Sequence, residues 1–323
     1  MRQDPRTNVD VPDTYEPVVD WGKLPDSMTF NGDANSLAVD SQDRIFVFNR
    51  GPLPIIVFDP EGNVLGAWGE GEFSVPHAIT IDAADNLYLV DRGHFVQKRT
   101  PDGEVLFTLG SPGNPSPAHS GEPFNQPTDV AVDPETGDLF VTDGYKNSRV
   151  HRFSSEGHYM MSWGESGGDP GQFSLPHGIC IIGDRIVVSD RENFRLQTFT
   201  LQGEFLEQWH VYHPLGIYAD TRLQVIYVTE MGPEPIQEGV PRLGNRVSVF
   251  NWQGRPLTAF GAPLPGQGPD QFICPHSVAS DSEGNLYIAE VSASFLASSH
   301  STRQETVEEG AELISLRKWR PVR

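Results

Sequence analysis

Strand-length apolar runs that end in an acidic or amide residue recur along the whole chain. Each run is rich in β-branched and aromatic residues and is bounded by Gly, Pro, Asn or Asp, which is typical of β-strands separated by tight turns. No stretch shows the 3.6-residue period of an amphipathic helix. The pattern therefore predicts an all-β protein, with these runs at residues 44–49, 86–91, 139–143, 186–190, 225–230 and 285–290.

Each run lies inside a longer unit made of an inner strand, a turn, the apolar run, a third strand, a glycine and a fourth strand. A strand-rich repeat of about 40–50 residues is typical of propellers and solenoids. The six units predict a six-bladed β-propeller that occupies residues 15–323 as a single domain, preceded by a tail at residues 1–14.

The sixth unit shows no fourth strand of its own, and residues 15–22 near the N-terminus supply a matching pattern. They resemble residues 62–69, the fourth strand of the first unit. The N-terminal strand is therefore predicted to complete the last blade and close the ring, which removes exposed sheet edges.

Composition agrees with this fold and argues against some functions. The 32 glycines and 27 prolines suit many tight turns, and no apolar stretch is long enough to span a membrane. A net charge of −21 argues against a nucleic acid partner, because phosphates require a basic surface. The two cysteines, Cys180 and Cys274, are too few for a disulfide framework.

The first residues contain no hydrophobic signal-peptide core, which favours a cytoplasmic protein, although a secreted protein whose signal had been removed would look the same. The oligomeric state is not readable from the sequence, and a monomer is compatible with it. Three long segments interrupt the repeat, and such segments are usually functional lids or disordered. They are residues 111–125, 231–243 and 292–312, and low hydrophobicity between 299 and 310 favours mobility there.

Three histidines provide the strongest functional signal. His77, His177 and His276 each follow a proline, open an inner strand, and recur about 100 residues apart, which is every second unit. Equivalent positions on alternate blades of a six-fold ring point at one axis, so the three imidazoles are predicted to form an open metal site, with zinc favoured. An ordinary channel histidine satisfied by hydrogen bonds is the alternative, but it explains three alternating residues poorly.

Two sets of equivalent positions frame this prediction. The first lines the channel and comprises Ser36, His77, Thr128, His177, Leu215 and His276. The second follows the apolar runs and comprises Arg50, Arg92, Gly144, Arg191, Met231 and Val291. Arg50 and Arg191 are predicted to lie at the channel mouth and to bind an anionic group of a substrate, unless they are solvated or paired with an acid. Tyr145, next to Gly144, is a candidate general base or a packed aromatic.

The units resemble NHL repeats, and four segments resemble the peptidyl-α-hydroxyglycine α-amidating lyases, the lyase half of the peptide-amidating enzyme. Those segments are residues 126–132, 143–149, 171–177 and 190–193. The resemblance implies that His77, His177 and His276 bind zinc, that Tyr145 is the catalytic tyrosine, and that Arg50 and Arg191 are site arginines. It also implies a structural calcium held largely by backbone carbonyls.

The reaction implied by the resemblance is cleavage of a carbinolamide, R–CO–NH–CH(OH)–COO⁻, into an amide and glyoxylate. Zinc would bind the substrate hydroxyl, Tyr145 as phenolate would take its proton, and Arg50 or Arg191 would hold the carboxylate. The expected substrate is a small molecule or a short acyl-glycine, since no attached monooxygenase segment is visible.

Departures from the family pattern keep two other functions open. Ser277 stands where the family has an Asp directly after the third histidine, and such a residue orients a ligand or tunes a proton from the second shell. Cys274 stands where animal members have an apolar Met, and Asn125 and Lys146 where they have a disulfide. Ser277 favours a different zinc-dependent lyase, hydrolase or hydratase. A non-catalytic NHL propeller that binds a ligand or protein is the second alternative.

Overall fold

The computed structural model of the chain describes residues 11–232, 237, 240–298 and 313–322. Most of the predicted tail, residues 1–10, and the segment 299–310 that the sequence predicts to be mobile lie outside the described residues. Within the described part of the chain, no helix is both long enough and apolar enough to cross a membrane.

Six four-stranded antiparallel sheets form the fold, as the sequence predicts. Blades 1 to 3 follow the first strand in chain order. The first strand is β1 (Thr14–Val18). Blades 1 to 3 consist of β2 (Ala34–Val39), β3 (Ile45–Asn49), β4 (Ile55–Phe58) and β5 (Val64–Trp68) in blade 1, β6 (Pro76–Ile81), β7 (Leu87–Asp91), β8 (Phe95–Arg99) and β9 (Val105–Gly110) in blade 2, and β10 (Asp129–Val132), β11 (Leu139–Asp143), β12 (Arg149–Phe153) and β13 (Tyr159–Trp163) in blade 3.

Blades 4 to 6 repeat the same order of strands from the inside of the ring outward. They consist of β14 (Pro176–Ile182), β15 (Arg185–Asp190), β16 (Arg195–Thr200) and β17 (Phe205–His210) in blade 4, β18 (Pro214–Asp220), β19 (Val225–Glu230), β20 (Arg246–Asn251) and β21 (Pro256–Phe260) in blade 5, and β22 (Pro275–Ser280), β23 (Leu286–Glu290) and β24 (Leu316–Val322) in blade 6. A 3₁₀ turn, Arg191–Asn193, follows β15, and a short helix, α1 (Ser292–Ala297), follows β23.

The ring closes as predicted, because β1 is the outermost strand of blade 6. It pairs antiparallel with β24, with Tyr15 opposite Pro321 and Pro17 opposite Trp319. The two ends of the described chain therefore share one sheet, and their hydrogen bonds hold the first and last blades together.

The core lies between the faces of neighbouring blades. Strands β3, β7, β11, β19 and β23 are buried at every position, whereas outer strands such as β5 and β9 are largely exposed. The second strand of each blade is covered by a neighbouring sheet on both faces, so its sequence is a continuous apolar run and not an alternation of apolar and polar residues. This explains the pattern that dominates the sequence.

In the blades that carry the three histidines, the acid that ends the second strand fixes where the inner strand begins. Asp91 accepts hydrogen bonds from the backbone N–H groups of Ser74 and Val75, at 2.9 and 3.0 Å, just before β6. The same arrangement recurs elsewhere, with the Glu290 carboxylate accepting from the N–H of Ile273 at 2.7 Å before β22. These acids are fully buried, and they set the inner-strand positions at which the histidines stand.

One equivalence predicted from the sequence is wrong by a residue. Ala34 pairs with Asn49 as Pro76 pairs with Asp91, so Asn35 and not Ser36 occupies the position of His77. A bulge at the start of the inner strand separates these pairs from the rest of the ladder, and bulges shift the register without leaving a mark in the apolar pattern.

Candidate metal centre

Three imidazoles meet at one end of the channel. His77, His177 and His276 are the second residues of β6, β14 and β22, and all three are buried. Each pair of rings has a centroid separation of 4.9 Å, and the candidate ligand atoms lie within 4.8 Å of one another. The structure therefore brings the three predicted ligands together, and this group could hold a metal ion.

The odd-numbered blades orient these rings through backbone carbonyls. His77 Nδ1 lies 2.6 Å from the carbonyl oxygen of Thr128, and His276 Nδ1 lies 2.7 Å from that of Asn35. His177 is hydrogen-bonded to the backbone of Leu215 in the same manner. Since a carbonyl only accepts, the bonded ring nitrogen must carry the proton, and the other nitrogen keeps a lone pair.

The remaining ring nitrogens are available as ligands. His177 Nε2 is buried and has no hydrogen-bond partner among the described residues. An unpaired buried nitrogen is costly unless something binds it. The donor set, three imidazole lone pairs directed at one point, therefore fits a metal ion with an open coordination position.

Burial keeps the three imidazoles neutral. It lowers the pKa of His77 and of His177 well below the ordinary value, and the neighbouring histidine and arginine charges add to this effect. Burial is also the main cause that lowers the pKa of His276 to about 3. The neutral form is the one that binds metals, so the site is prepared for a cation at neutral pH.

Tyr145 reaches the histidine cluster from the loop after β11. A side chain at Gly144 would overlap the carbonyl oxygen of Pro176, so the glycine allows this loop to approach blade 4 closely. The Tyr145 hydroxyl lies 3.2 Å from His77 Nε2, and its ring centroid lies 6.1 Å from that of His177. The candidate base predicted from the sequence is therefore within reach of a group bound at the histidines.

Two predicted arginines lie beside this cluster, and each is already paired with an acid. Arg50 Nη1 lies 3.2 Å from Asp33 and 2.6 Å from the Ser294 hydroxyl. Arg191 contacts Glu192 through Nε and Nη2, at 2.7 and 2.6 Å.

Glu192 is ionised and therefore neutralises Arg191. Burial on its own raises the pKa of the Glu192 carboxyl, but the hydrogen bond with His213 and the Arg191 charge lower this pKa to about 2.

A third arginine, Arg92, belongs to the site although the sequence reasoning gave it no role. Its guanidinium carbon lies 3.7 Å from the centroid of the Tyr145 ring, a stacked cation–π contact. The signal was present in the sequence, because Arg92 follows Asp91 as Arg191 follows Asp190.

Ser277 and Cys274, the two further residues predicted near the metal, make contacts of different kinds. The Ser277 hydroxyl lies 3.1 Å from the Ser36 hydroxyl and accepts a 3.4 Å hydrogen bond from the N–H of Leu37. These contacts link blade 6 to blade 1, so Ser277 holds neighbouring inner strands. Cys274 is buried in an apolar cluster with Leu215.

A carboxylate that the sequence reasoning overlooked lines the channel behind the histidines. Asp129 borders a cavity of about 140 Å³ and accepts hydrogen bonds from the N–H groups of Val130 and Ile179, at 2.8 and 3.1 Å. Burial raises the pKa of this carboxyl to about 7, against the effect of both hydrogen bonds.

The described residues contain no second cluster of three or more His, Cys, Asp or Glu side chains that could hold a metal. The channel carboxylate Asp129 already has both oxygens engaged by N–H groups. Calcium held by backbone carbonyls therefore stays a prediction of the resemblance, and no step below depends on it.

Comparison with protein families finds NHL repeats at residues 124–153 and 173–199. The chain is 35% identical over 273 residues to peptidyl-glycine alpha-amidating monooxygenase B of Xenopus laevis, covering 79% of this chain and 30% of that protein. It is 33% identical over 268 residues to peptidyl-alpha-hydroxyglycine alpha-amidating lyase 1 of Drosophila melanogaster, covering 75% and 48%. It thus spans less than half the length of these curated relatives.

Two further similarities concern the NHL repeats and the fold. NHL repeat-containing protein 3 of Homo sapiens is 33% identical over 215 residues, covering 61% of this chain and 60% of that protein. Virginiamycin B lyase from Staphylococcus aureus is similar in structure, with a TM-score of 0.56 at 16% identity over 80% of this chain and 78% of that one. That likeness shows the shared fold alone.

The chain therefore carries NHL repeats and is homologous, at moderate identity, to the α-hydroxyglycine amidating lyases. This homology supports a lyase of that type, and three buried histidines at one end of the channel could hold its metal.

Proposed function

We propose that the protein is a zinc-dependent lyase that cleaves the C–N bond of an N-acyl-α-hydroxyglycine and releases an amide and glyoxylate. The observation that carries the proposal is the convergence of three buried, neutral imidazoles with the Tyr145 hydroxyl, which lies 3.2 Å from His77 Nε2. Homology to the amidating lyases supports the same chemistry.

Zinc is the metal that fits the donor set best, since it accepts three imidazoles and keeps a fourth position open in catalytic sites. His77, His177 and His276 would hold it. A Lewis acid bound there lowers the pKa of a substrate hydroxyl.

Tyr145 would move the proton. In the proposed reaction its phenolate accepts the proton of the substrate hydroxyl, the oxygen electron pair forms the aldehyde C=O bond, and the C–N bond breaks with its electron pair on nitrogen. The proton held by Tyr145 then passes to this nitrogen, so that the products are a neutral amide and glyoxylate. The nearby guanidinium groups stabilise the phenolate and the substrate carboxylate.

The charge around the imidazoles supports a small anionic substrate. Three guanidinium groups, of Arg50, Arg92 and Arg191, act on His276, and two of them are paired with acids, so a net positive charge remains beside the imidazoles of a protein of net charge −21 and favours a small anion. We propose a short acyl-glycine-type substrate, with no nucleic acid or membrane partner.

The test is glyoxylate release from α-hydroxyhippurate by zinc-loaded protein, with and without a chelator. We expect release that the chelator abolishes and added zinc restores. Metal-replete protein that releases no glyoxylate would contradict the proposal. A basic limb near pH ~7 in the rate profile would instead indicate a metal-bound hydroxide and favour a hydrolase or hydratase.

A purified protein that binds no metal would favour the non-catalytic alternative. The homology to NHL repeat-containing protein 3, whose name states no activity, is the observation on that side.

A further inference from the structure

The three arginines around the histidine cluster differ in whether their charge is already neutralised. Arg50 has Asp33 at 3.2 Å, and Arg191 has Glu192 at 2.6 Å. Arg92 has no carboxylate within salt-bridge distance among the described residues. The carboxylate of the preceding residue, Asp91, instead accepts hydrogen bonds from the N–H groups of Ser74, Val75 and Gly93.

Arg92 also retains free hydrogen-bond donors. Its Nη2 donates to Gln126 Oε1 at 2.9 Å, whereas its Nε is buried without a partner and Nη1 bonds to none of the described residues. A guanidinium has four N–H hydrogens on its two Nη atoms, so about three remain without a protein partner. Burial lowers the pKa of Arg92, which reflects the cost of desolvating an uncompensated cation.

The position of Arg92 is fixed relative to the candidate metal ligand. Its backbone N–H donates to the carbonyl of Val75 at 3.0 Å, two residues before His77. Its guanidinium lies over the Tyr145 ring at 3.7 Å, and Tyr145 in turn reaches His77 at 3.2 Å. Stacking uses the face of the guanidinium and leaves the Nη edge free for an anion.

We propose that Arg92 is the residue that binds the substrate carboxylate, through the two Nη atoms, and thereby selects an anionic substrate. The inference rests on the proposed function and deepens it. Arg50 and Arg191, to which the sequence assigned this task, act on the local charge, because Asp33 and Glu192 repel a second carboxylate from them.

Hippurate is the probe that separates carboxylate binding from chemistry, because it has the carboxylate but lacks the α-hydroxyl group that reacts. Hippuramide is its neutral counterpart. Titration calorimetry on zinc-loaded protein gives the dissociation constant of each compound for wild type, Arg92→Gln, Arg92→Met, Arg50→Gln and Arg191→Gln. Arg152→Gln is the matched control, since Arg152 lies over Phe140 at 5.4 Å on β12, in the third strand of blade 3.

We expect Arg92→Gln to weaken hippurate binding by about 10–100-fold, the usual effect of losing a charged hydrogen-bond partner. Hippuramide binding should change by less than about threefold, and Arg152→Gln should resemble wild type. Arg92→Met keeps the apolar stem against Tyr145 and should give the same loss, so either variant that folds, judged by circular dichroism, decides the question.

Hippurate affinity that survives in the folded Arg92 variants overturns the proposal, and so does a larger loss in Arg50→Gln or Arg191→Gln than in Arg92→Gln. Wild-type protein that binds no hippurate also overturns it. Failure of the proposed function is a separate result. If wild type releases no glyoxylate from α-hydroxyhippurate but binds hippurate through Arg92, the anion site stands and the lyase chemistry does not.

Discussion

Blades 2, 4 and 6 carry a histidine at one position of the innermost strand where blades 1, 3 and 5 do not. The even blades place a histidine there, and its side chain supplies a free ring nitrogen to the centre. The odd blades place an amide, a hydroxyl or an apolar residue there, and what they supply is the backbone carbonyl that holds the neighbouring ring. These residues are Asn35, Thr128 and Leu215.

The difference separates a task of the side chain from a task of the backbone. A carbonyl is present whatever the residue, so the odd blades are free to vary in side chain as long as the strand keeps its place. The even blades have no such freedom, because only the imidazole offers a neutral nitrogen ligand. Six copies of one structural unit thus yield a three-fold site.

The largest expected effect comes from removing one even-blade ring. His177→Ala should lose bound zinc and lyase activity completely, because two imidazoles do not form a stable site. Metal content by elemental analysis after dialysis is the measurement. His158→Ala, an exposed histidine before β13, should keep full occupancy. Full metal occupancy in the folded His177→Ala variant would contradict the assignment of the three histidines as metal ligands.

The next effect tests whether proton transfer depends on Tyr145, beside the histidines, rather than on the histidines themselves. Tyr145→Phe should keep the metal, since its hydroxyl only contacts His77, and should lower kcat by about 10²–10⁴-fold through loss of the proton acceptor. Glyoxylate assays at a series of time points give kcat, and elemental analysis of the same samples gives the metal content. Unchanged turnover in a metal-replete variant would remove Tyr145 from the mechanism.

The sequence predicts much of this arrangement because the repeat is visible in it. Apolar runs that are buried on both sides, each ended by an acid, mark the second strands, and the three Pro-His pairs mark alternate inner strands. Closure of the ring by residues near the N-terminus is also predictable, since β1 carries the same pattern as β5.

The inner-strand register and the acidic partners of the arginines are not predictable from the sequence, because they depend on three-dimensional contacts. The register that puts Asn35, and not Ser36, at the position of His77 leaves no trace in hydrophobicity. Arg50 and Arg191 look like free cations until Asp33 and Glu192 are seen beside them. Arg92 follows the end of a second strand as Arg50 and Arg191 do, and only the three-dimensional structure shows that it has no acidic partner among the described residues.

A smaller effect is expected inside the channel, where blade 3 places the carboxyl group of Asp129 directly after Thr128. Burial raises the pKa of Asp129 to about 7, so its contribution to stability is present below the unfolded pKa, near 3.8, and is lost as pH rises through about 7. The unfolding free energy of Asp129→Asn, relative to wild type, should therefore increase from pH 5 to pH 8 by about 2–3 kcal/mol.

Urea denaturation at the two pH values measures this difference. Asp102→Asn, on an exposed turn, is the control and should show no such change. A difference between Asp129→Asn and wild type that is the same at both pH values would contradict a neutral, buried carboxyl.

The smallest effect tests the comparison between blades most directly. Thr128→Ser keeps the carbonyl that binds His77 Nδ1 and keeps the hydroxyl that contacts Thr142 and Pro176, so it loses one buried methyl group and about 1 kcal/mol of stability. Zinc affinity, measured by competition with a chromogenic chelator, should change by less than about threefold. His77→Ser places the same residue at the equivalent even-blade position and should abolish binding. If the two variants lose zinc equally, the claim that odd blades act through the backbone carbonyl and even blades through the imidazole side chain is wrong.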